Sequence, residues 1–156
     1  MKKRIFALIT ALILLCCIYI ILSGFLSDSH KHGSIRICVL DGFGKFPIEN
    51  AKVVIPETGD ELYTNADGLT EKVNVPVLRD IHYDGILRQN YGRITVLVYA
   101  QGYVPYGIFF VQIESDTDRL INAWVFENDG IEEQDPFVII ESPDTEWANE
   151  LIRSYQ

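Results

Sequence analysis

The chain has 156 residues, and 13 Lys and Arg against 22 Asp and Glu give it a formal charge of −9. That is the length of one ordinary domain. Its acidity excludes a nucleic-acid partner, because neutralising phosphates takes Lys and Arg. Residues 1–26 hold Lys2, Lys3 and Arg4 and no acid, which leaves 10 bases and 22 acids in residues 27–156.

Residues 5–26 (IFALITALILLCCIYIILSGFL) follow the basic triplet; 19 of the 22 are apolar and none is charged. A helix needs about 20 apolar residues to cross a bilayer. A cleavable secretory signal has a shorter apolar region, of about 7–15 residues, ahead of a small-x-small site. The pattern predicts a transmembrane helix, so that residues 1–26 are a cytoplasmic basic flank and membrane anchor. Cleavage near Ser27-Asp28-Ser29, which would secrete the domain, is the alternative. The positive-inside bias places Lys2–Arg4 in the cytoplasm and residues 27–156 outside, with the membrane itself as the partner of residues 5–26.

Cys16 and Cys17 lie within the apolar segment, so Cys38 is alone in the outer domain and no disulfide is expected within it. It falls in an alternating apolar stretch and reads as a small core residue. Residues 27–33 are a short polar linker, in which His30 and His32 read as solvated side chains; a metal site would need further ligands, and none is near in sequence.

From Ser34 onward the pattern is β. Ile35–Val39 alternates apolar and polar residues, the mark of a half-buried strand. Further strands are predicted over Ala51–Ile55, Glu61–Asn65, Leu69–Val75, Ile94–Ala100, Tyr106–Ile113 and Leu120–Phe126, rich in branched and aromatic residues. Ala66-Asp67-Gly68 between two of them is turn chemistry, with Asp expected to bond its own backbone. Seven short strands with frequent turn signals predict an all-β sandwich.

Two stretches break this rhythm. Residues 76–93 form a connection of mixed polarity, of a length that is uncommon unless it is functional or structured. Residues 114–156 carry 12 acids against Arg119 and Arg153. Within them Phe137–Glu141 is read as an eighth strand or an apolar plug. Ser142 and Asp144 are good cap residues for a short C-terminal α-helix. Trp147, Leu151 and Tyr155 recur at helical spacing, a stripe expected to dock on the sandwich, with partner binding as the alternative.

Several spacings form a recognisable set: Val39-x-Asp41, Gly44, Pro47-Ile48, Asn50-Ala51-x-Val53-x-Ile55 and Thr58-Gly59; then Thr64-Asn65-Ala66-Asp67-Gly68-Leu69; then Ala100-x-Gly102-Tyr103. Over residues 34–127 the chain resembles carboxypeptidase regulatory-like domains. The resemblance implies a seven-stranded prealbumin-like (Ig-like) β-sandwich, and residues 128–156 are then an acidic extension with a helix. The chain departs from that pattern by an extra residue between Gly44 and Pro47 and by the long 76–93 connection. Such domains are accessory modules, which implies no active site. Together with the Lys-Lys-Arg anchor, the resemblance implies a bacterial cell envelope.

The catalytic patterns of related folds are absent. Iron or hydrolase chemistry would need several histidines, and the outer residues hold His30, His32 and His82. No Gly-x-Ser-x-Gly elbow, Gly-rich phosphate loop or zinc-ligand spacing occurs. The acids around Asp41 lack EF-hand spacing, and Asp116, Asp118 and Asp129–Asp135 read as a solvated acidic face rather than a calcium site. No catalytic residue, metal or cofactor is therefore expected. The expected function is a non-catalytic interaction or scaffold module with a protein partner. The alternative is a carbohydrate- or peptidoglycan-binding module using Tyr83, Tyr91, Tyr103 and Tyr106; clustering of those rings on one face would favour it, and core-facing rings the first reading.

Overall fold

The structure is a computed structural model that describes residues 13–19, 31–130 and 135–156. Most of the expected membrane anchor lies outside those residues. Residues 13–19 are helical and exposed, and among the described residues no helix is long and apolar enough to cross a membrane. The chain divides into two units, Met1–Lys31 and His32–Gln156, and the second carries the fold.

That unit holds β1 (His32–Asp41), β2 (Lys52–Ile55), β3 (Asp60–Tyr63), β4 (Val73–Pro76), β5 (Tyr91–Tyr99), β6 (Tyr106–Glu114), β7 (Asp118–Val125), β8 (Phe137–Ile140) and α1 (Thr145–Arg153). The strands form two sheets, ordered β4-β1-β7 and β3-β2-β5-β6-β8. The fold is thus a β-sandwich with eight strands rather than seven, because Phe137–Ile140 is a strand. It runs parallel to β6, with Tyr106 opposite Phe137 and Phe109 opposite Ile140.

Alternation along the strands fills the space between the sheets. Ile35, Ile37 and Val39 of β1, with Ile121, Ala123 and Val125 of the neighbouring β7, pack with Val96 and Val98 of β5 and Val111 and Ile113 of β6 from the other sheet, all buried in one cluster. Removing Ile37, which is fully buried, to Ala would cost about 2–5 kcal/mol through lost transfer energy and a cavity. Cys38 lies on the other side of β1 and is only half-buried, because period two sends neighbouring side chains to opposite faces. Burial still raises its thiol pKa.

Two expected strands differ in detail. The Leu69–Val75 run pairs as a strand only over Val73–Pro76. Ahead of it, Leu69 makes an isolated bridge to Cys38, and the Thr70 hydroxyl accepts from the Ile37 N–H at 3.0 Å, so a side chain replaces one rung of the ladder. In the preceding turn the capping carboxamide is Asn65, not Asp67: its Oδ1 accepts from the N–H groups of Asp67 and Leu69, both at 3.0 Å. Gly68 sits at φ +73° there, where a Cβ would lie 2.6 Å from the Val39 carbonyl oxygen.

β5 starts at Tyr91, three residues before the expected Ile94, because the 76–93 connection folds back on it. The Arg93 N–H donates to the Leu78 carbonyl at 2.9 Å. A Cβ on Gly92 would lie 2.2 Å from the Leu78 nitrogen, so only glycine lets the two backbones approach this closely. The connection holds a 3-10 turn over Ile81–Tyr83, capped by the Asp80 side chain. α1 then closes over it. Asp144 caps the helix by accepting from the Trp147 N–H at 2.8 Å.

Candidate functional site

The four tyrosines singled out in the sequence fall into two pairs. Tyr83 and Tyr91 gather around Trp147, with ring centroids 4.9 and 6.2 Å away in edge-on contact. Tyr91 is 3% exposed, and its hydroxyl accepts from the buried Gln89 amide at 3.3 Å. Here the connection, the sheet's outer face and α1 make a small second core. Its one unmet group among the described residues is the Gln89 side-chain oxygen. Trp147 and Leu151 are half-buried and Tyr155 is exposed, so the expected stripe docks through its first two members.

Tyr103 and Tyr106 belong to the other pair. Tyr106 is 2% exposed; its hydroxyl is hydrogen-bonded by the Trp124 backbone, and burial raises its pKa. The half-buried Tyr103 donates to Asp41 across 3.3 Å. Asp41 organises the turn after β1, accepting also from the N–H groups of Phe43 and Gly44. The Gly44 N–H is the main reason the Asp41 carboxyl sits below its ordinary pKa. Burial, and then the Asp41 charge, push the Tyr103 phenol up. The two buried rings offer no face to a sugar.

What the structure does expose is a row of phenylalanines. Phe137 of β8 stacks on Tyr106, with centroids 5.6 Å apart and planes within 5°. Phe126, just past β7, lies 5.0 Å beyond Phe137, and Phe43, in the Asp41 turn, 5.4 Å beyond Phe126. The row climbs from the core to a ring that is 81% exposed, with Phe46 exposed in the same turn. β8 continues the apolar surface: Phe137, Val138, Ile139 and Ile140 are all exposed. β8 ends its sheet, so its far edge has no strand beside it among the described residues. Sequence reasoning did not single out these phenylalanines. The available signal was aromatic residues inside the glycine-containing turn 42–46, where a solvated loop gains nothing from them.

A concavity of about 260 Å³ lies beside the bulge between β5 and β6, lined in part by Leu78, Arg79, Asp80, Arg93 and Phe110. Phe110 holds φ +60°, and the Arg93 guanidinium sits over its ring at 5.6 Å and over that of Tyr91 at 5.8 Å. Arg79 is bridged to Asp84 and His82 to Asp80. Among the described residues no three His, Cys, Asp or Glu side chains converge as a metal set would. His30 lies outside the described residues, and His32 is the first residue of β1 rather than part of a linker.

Fold and surface together define a two-sheet β-sandwich module with an apolar, aromatic-rich edge. No family model matches the chain, and no curated protein does. Solved structures of similar shape include the Bacillus anthracis TIE protein, at 14% identity and a TM-score of 0.43, over 62% of this chain and 17% of that one. A Bacteroides uniformis protein described as carbohydrate binding matches at 17% identity and a TM-score of 0.38, over 59% and 40%. The minor pilin of Streptococcus agalactiae matches at 12% identity and a TM-score of 0.39, over 69% and 49%. The chain thus spans less than half the length of each of these proteins, and likenesses this distant say nothing of activity.

Proposed function

We propose that residues 32–156 form a non-catalytic interaction module with a protein partner, held outside a bacterial membrane by the apolar segment 5–26 and built on a carboxypeptidase regulatory-like, prealbumin-type sandwich. The observation that carries this reading is the aromatic row Phe137–Phe126–Phe43, which leads from the core to an 81% exposed ring. Exposed apolar surface that is contiguous with a free strand edge is costly to keep in water, and it marks a contact site. The reading needs no cofactor. The glycan-binding alternative rests on Tyr83, Tyr91, Tyr103 and Tyr106, and the burial of Tyr91 and Tyr106 is why a protein partner is preferred.

The test is site-specific crosslinking in intact cells. A photo-crosslinking phenylalanine analogue replaces Phe43, or, as a control, the exposed Tyr63 of β3, the edge strand opposite β8 in the five-stranded sheet. A discrete protein adduct from position 43 and none from position 63 is the expected result. An adduct to wall glycan would establish the alternative, and equal labelling at both positions would overturn a dedicated edge. In the same cells, protease added outside should digest residues 32–156; protection of the whole chain until lysis would overturn the external placement.

A further inference from the structure

We infer that the free edge of β8 is a docking site for an extended strand from a partner protein, apolar in the middle and carrying Lys or Arg at its ends, which adds as a sixth strand to the five-stranded sheet. The inference rests on the interaction reading above and specifies its mode and the chemistry of the partner.

The backbone geometry comes first. The Phe137 N–H donates to the Pro105 carbonyl at 2.8 Å and the Glu141 N–H to the Phe109 carbonyl at 3.0 Å. Strand period two then turns the N–H and C=O groups of Val138 and Ile140 away from β6, toward the open edge. Among the described residues no strand lies beside them. Sheet edges are usually blunted by charge, proline or a bulge. β8 has none of these within Phe137–Ile140; Pro136 closes its upstream end, so the accessible edge is four residues long.

The side chains agree. Phe137 and Ile139 lie on the core side with Tyr106 and Ile108, and Val138 and Ile140 on the outer side with Gly107 and Phe109. Both faces are apolar and both are 39–65% exposed. An added strand with apolar residues would cover both rows, and the Phe126–Phe43 row would extend the contact beyond the strand itself. Strand addition supplies affinity through main-chain hydrogen bonds and specificity through alternate side chains.

Charge selects the occupant. Asp135 and Glu141 flank β8, and residues 114–156 hold 12 acids against two bases, one of which, Arg119, is already engaged by Glu141 at 2.9 Å. A second copy pairing antiparallel through β8 would bring two strongly acidic 114–156 segments together, and like charges across a strand pair are destabilising. A strand with basic ends meets Asp135 and the net negative charge of this region favourably.

The test uses the full chain in nanodiscs of zwitterionic phosphatidylcholine, with empty nanodiscs as the blank. The probe is a fluorescein-labelled peptide, Lys-Lys-Val-Thr-Ile-Thr-Val-Lys-Lys, read by fluorescence anisotropy. Saturable binding is expected, weakened at least about tenfold by Ile140→Pro, which removes an outward N–H but none directed at β6. Val138→Lys should weaken it similarly, and circular dichroism reports whether either variant has misfolded. The same peptide with glutamates in place of its lysines should bind at least about tenfold more weakly to the unmodified chain, a comparison that needs no variant. Equal binding of both peptides would overturn the basic partner. Concentration-dependent dimers abolished by Ile140→Pro, with no peptide bound, would replace the partner strand by a second copy. Peptide binding indifferent to both edge variants would overturn strand addition. A position-43 adduct persisting beside either negative peptide result would leave the interaction reading standing, so the two fail separately.

Discussion

The Trp147 indole N–H donates to the Leu87 carbonyl across 3.1 Å, and this bond fastens the C-terminal helix to the 76–93 connection. Around it the Tyr83 and Tyr91 rings meet the indole edge-on. The helix therefore docks on the connection and not on a bare sheet face. The connection, unusually long for a sandwich, has a packing partner of its own.

Trp147→Ala should therefore destabilise the domain by about 1–3 kcal/mol, less than the about 3–5 kcal/mol of a fully buried Trp, because the residue is only half-buried. Chemical denaturation measures it. With Trp124→Phe as background, Trp147 should emit at short wavelength and resist quenching; a freely quenched, red-shifted emission would mean an undocked helix.

Gly92→Ala and Gly85→Ala should behave oppositely. At Gly92 an added methyl meets the Leu78 backbone at 2.2 Å, whereas at Gly85 it meets nothing within 4 Å. The first should lower the thermal midpoint and loosen the connection, read as faster amide exchange at Arg93, whose N–H bonds Leu78. The second should leave stability unchanged or raise it by up to about 1 kcal/mol through a less free unfolded chain.

Acid should weaken the Asp41 turn. The Asp41 carboxyl is held below its ordinary pKa chiefly by the Gly44 N–H, so its contribution is complete above about pH 4 and fades as pH falls below that. Asp80, bonded by the His82 backbone, and Asp118, bonded by Lys72, are shifted the same way and add to the effect. The thermal midpoint should fall between about pH 4 and pH 2, and Asp41→Asn should lower the midpoint at pH 7 while making the acid fall shallower. An unaltered acid fall in that variant would show that the turn carries no such linkage.

Phe43→Ser should separate stability from binding. The ring is 81% exposed, and exposed substitutions are usually within about 0.5 kcal/mol, so the unfolding midpoint should hold. The yield of the protein adduct, read from a crosslinking analogue at neighbouring Phe46, should drop.

Gln89→Met combined with Tyr91→Phe should be at least as stable as the parent. The Gln89 amide is buried with its oxygen unmet, and replacing both members of a buried hydrogen bond by apolar groups of similar shape is nearly neutral or stabilising. Loss of more than about 1 kcal/mol in denaturant would show that the amide has a satisfying partner in solution.

The β character of residues 34–127 was legible in the sequence because it is local: alternation such as Ile35-Arg-Ile37-Cys-Val39 commits a strand wherever it pairs, and Asn65 to Gly68 commit a turn. The cap at Asp144 was legible for the same reason. Tertiary contact decided the rest. Thr70 could be taken for a strand residue until its hydroxyl was found bonding the Ile37 N–H, a contact across 33 positions. Tyr91 and Tyr106 read as exposed aromatics, yet chain segments far off in sequence cover them, and no local pattern encodes that cover. Phe43, Phe126 and Phe137 sit 83 and 11 positions apart and become one surface only when β7 and β8 arrive beside the first turn. A sequence specifies which residues need burial. Which of them the fold fails to bury, and so leaves for a partner, is settled only once the sheets have closed.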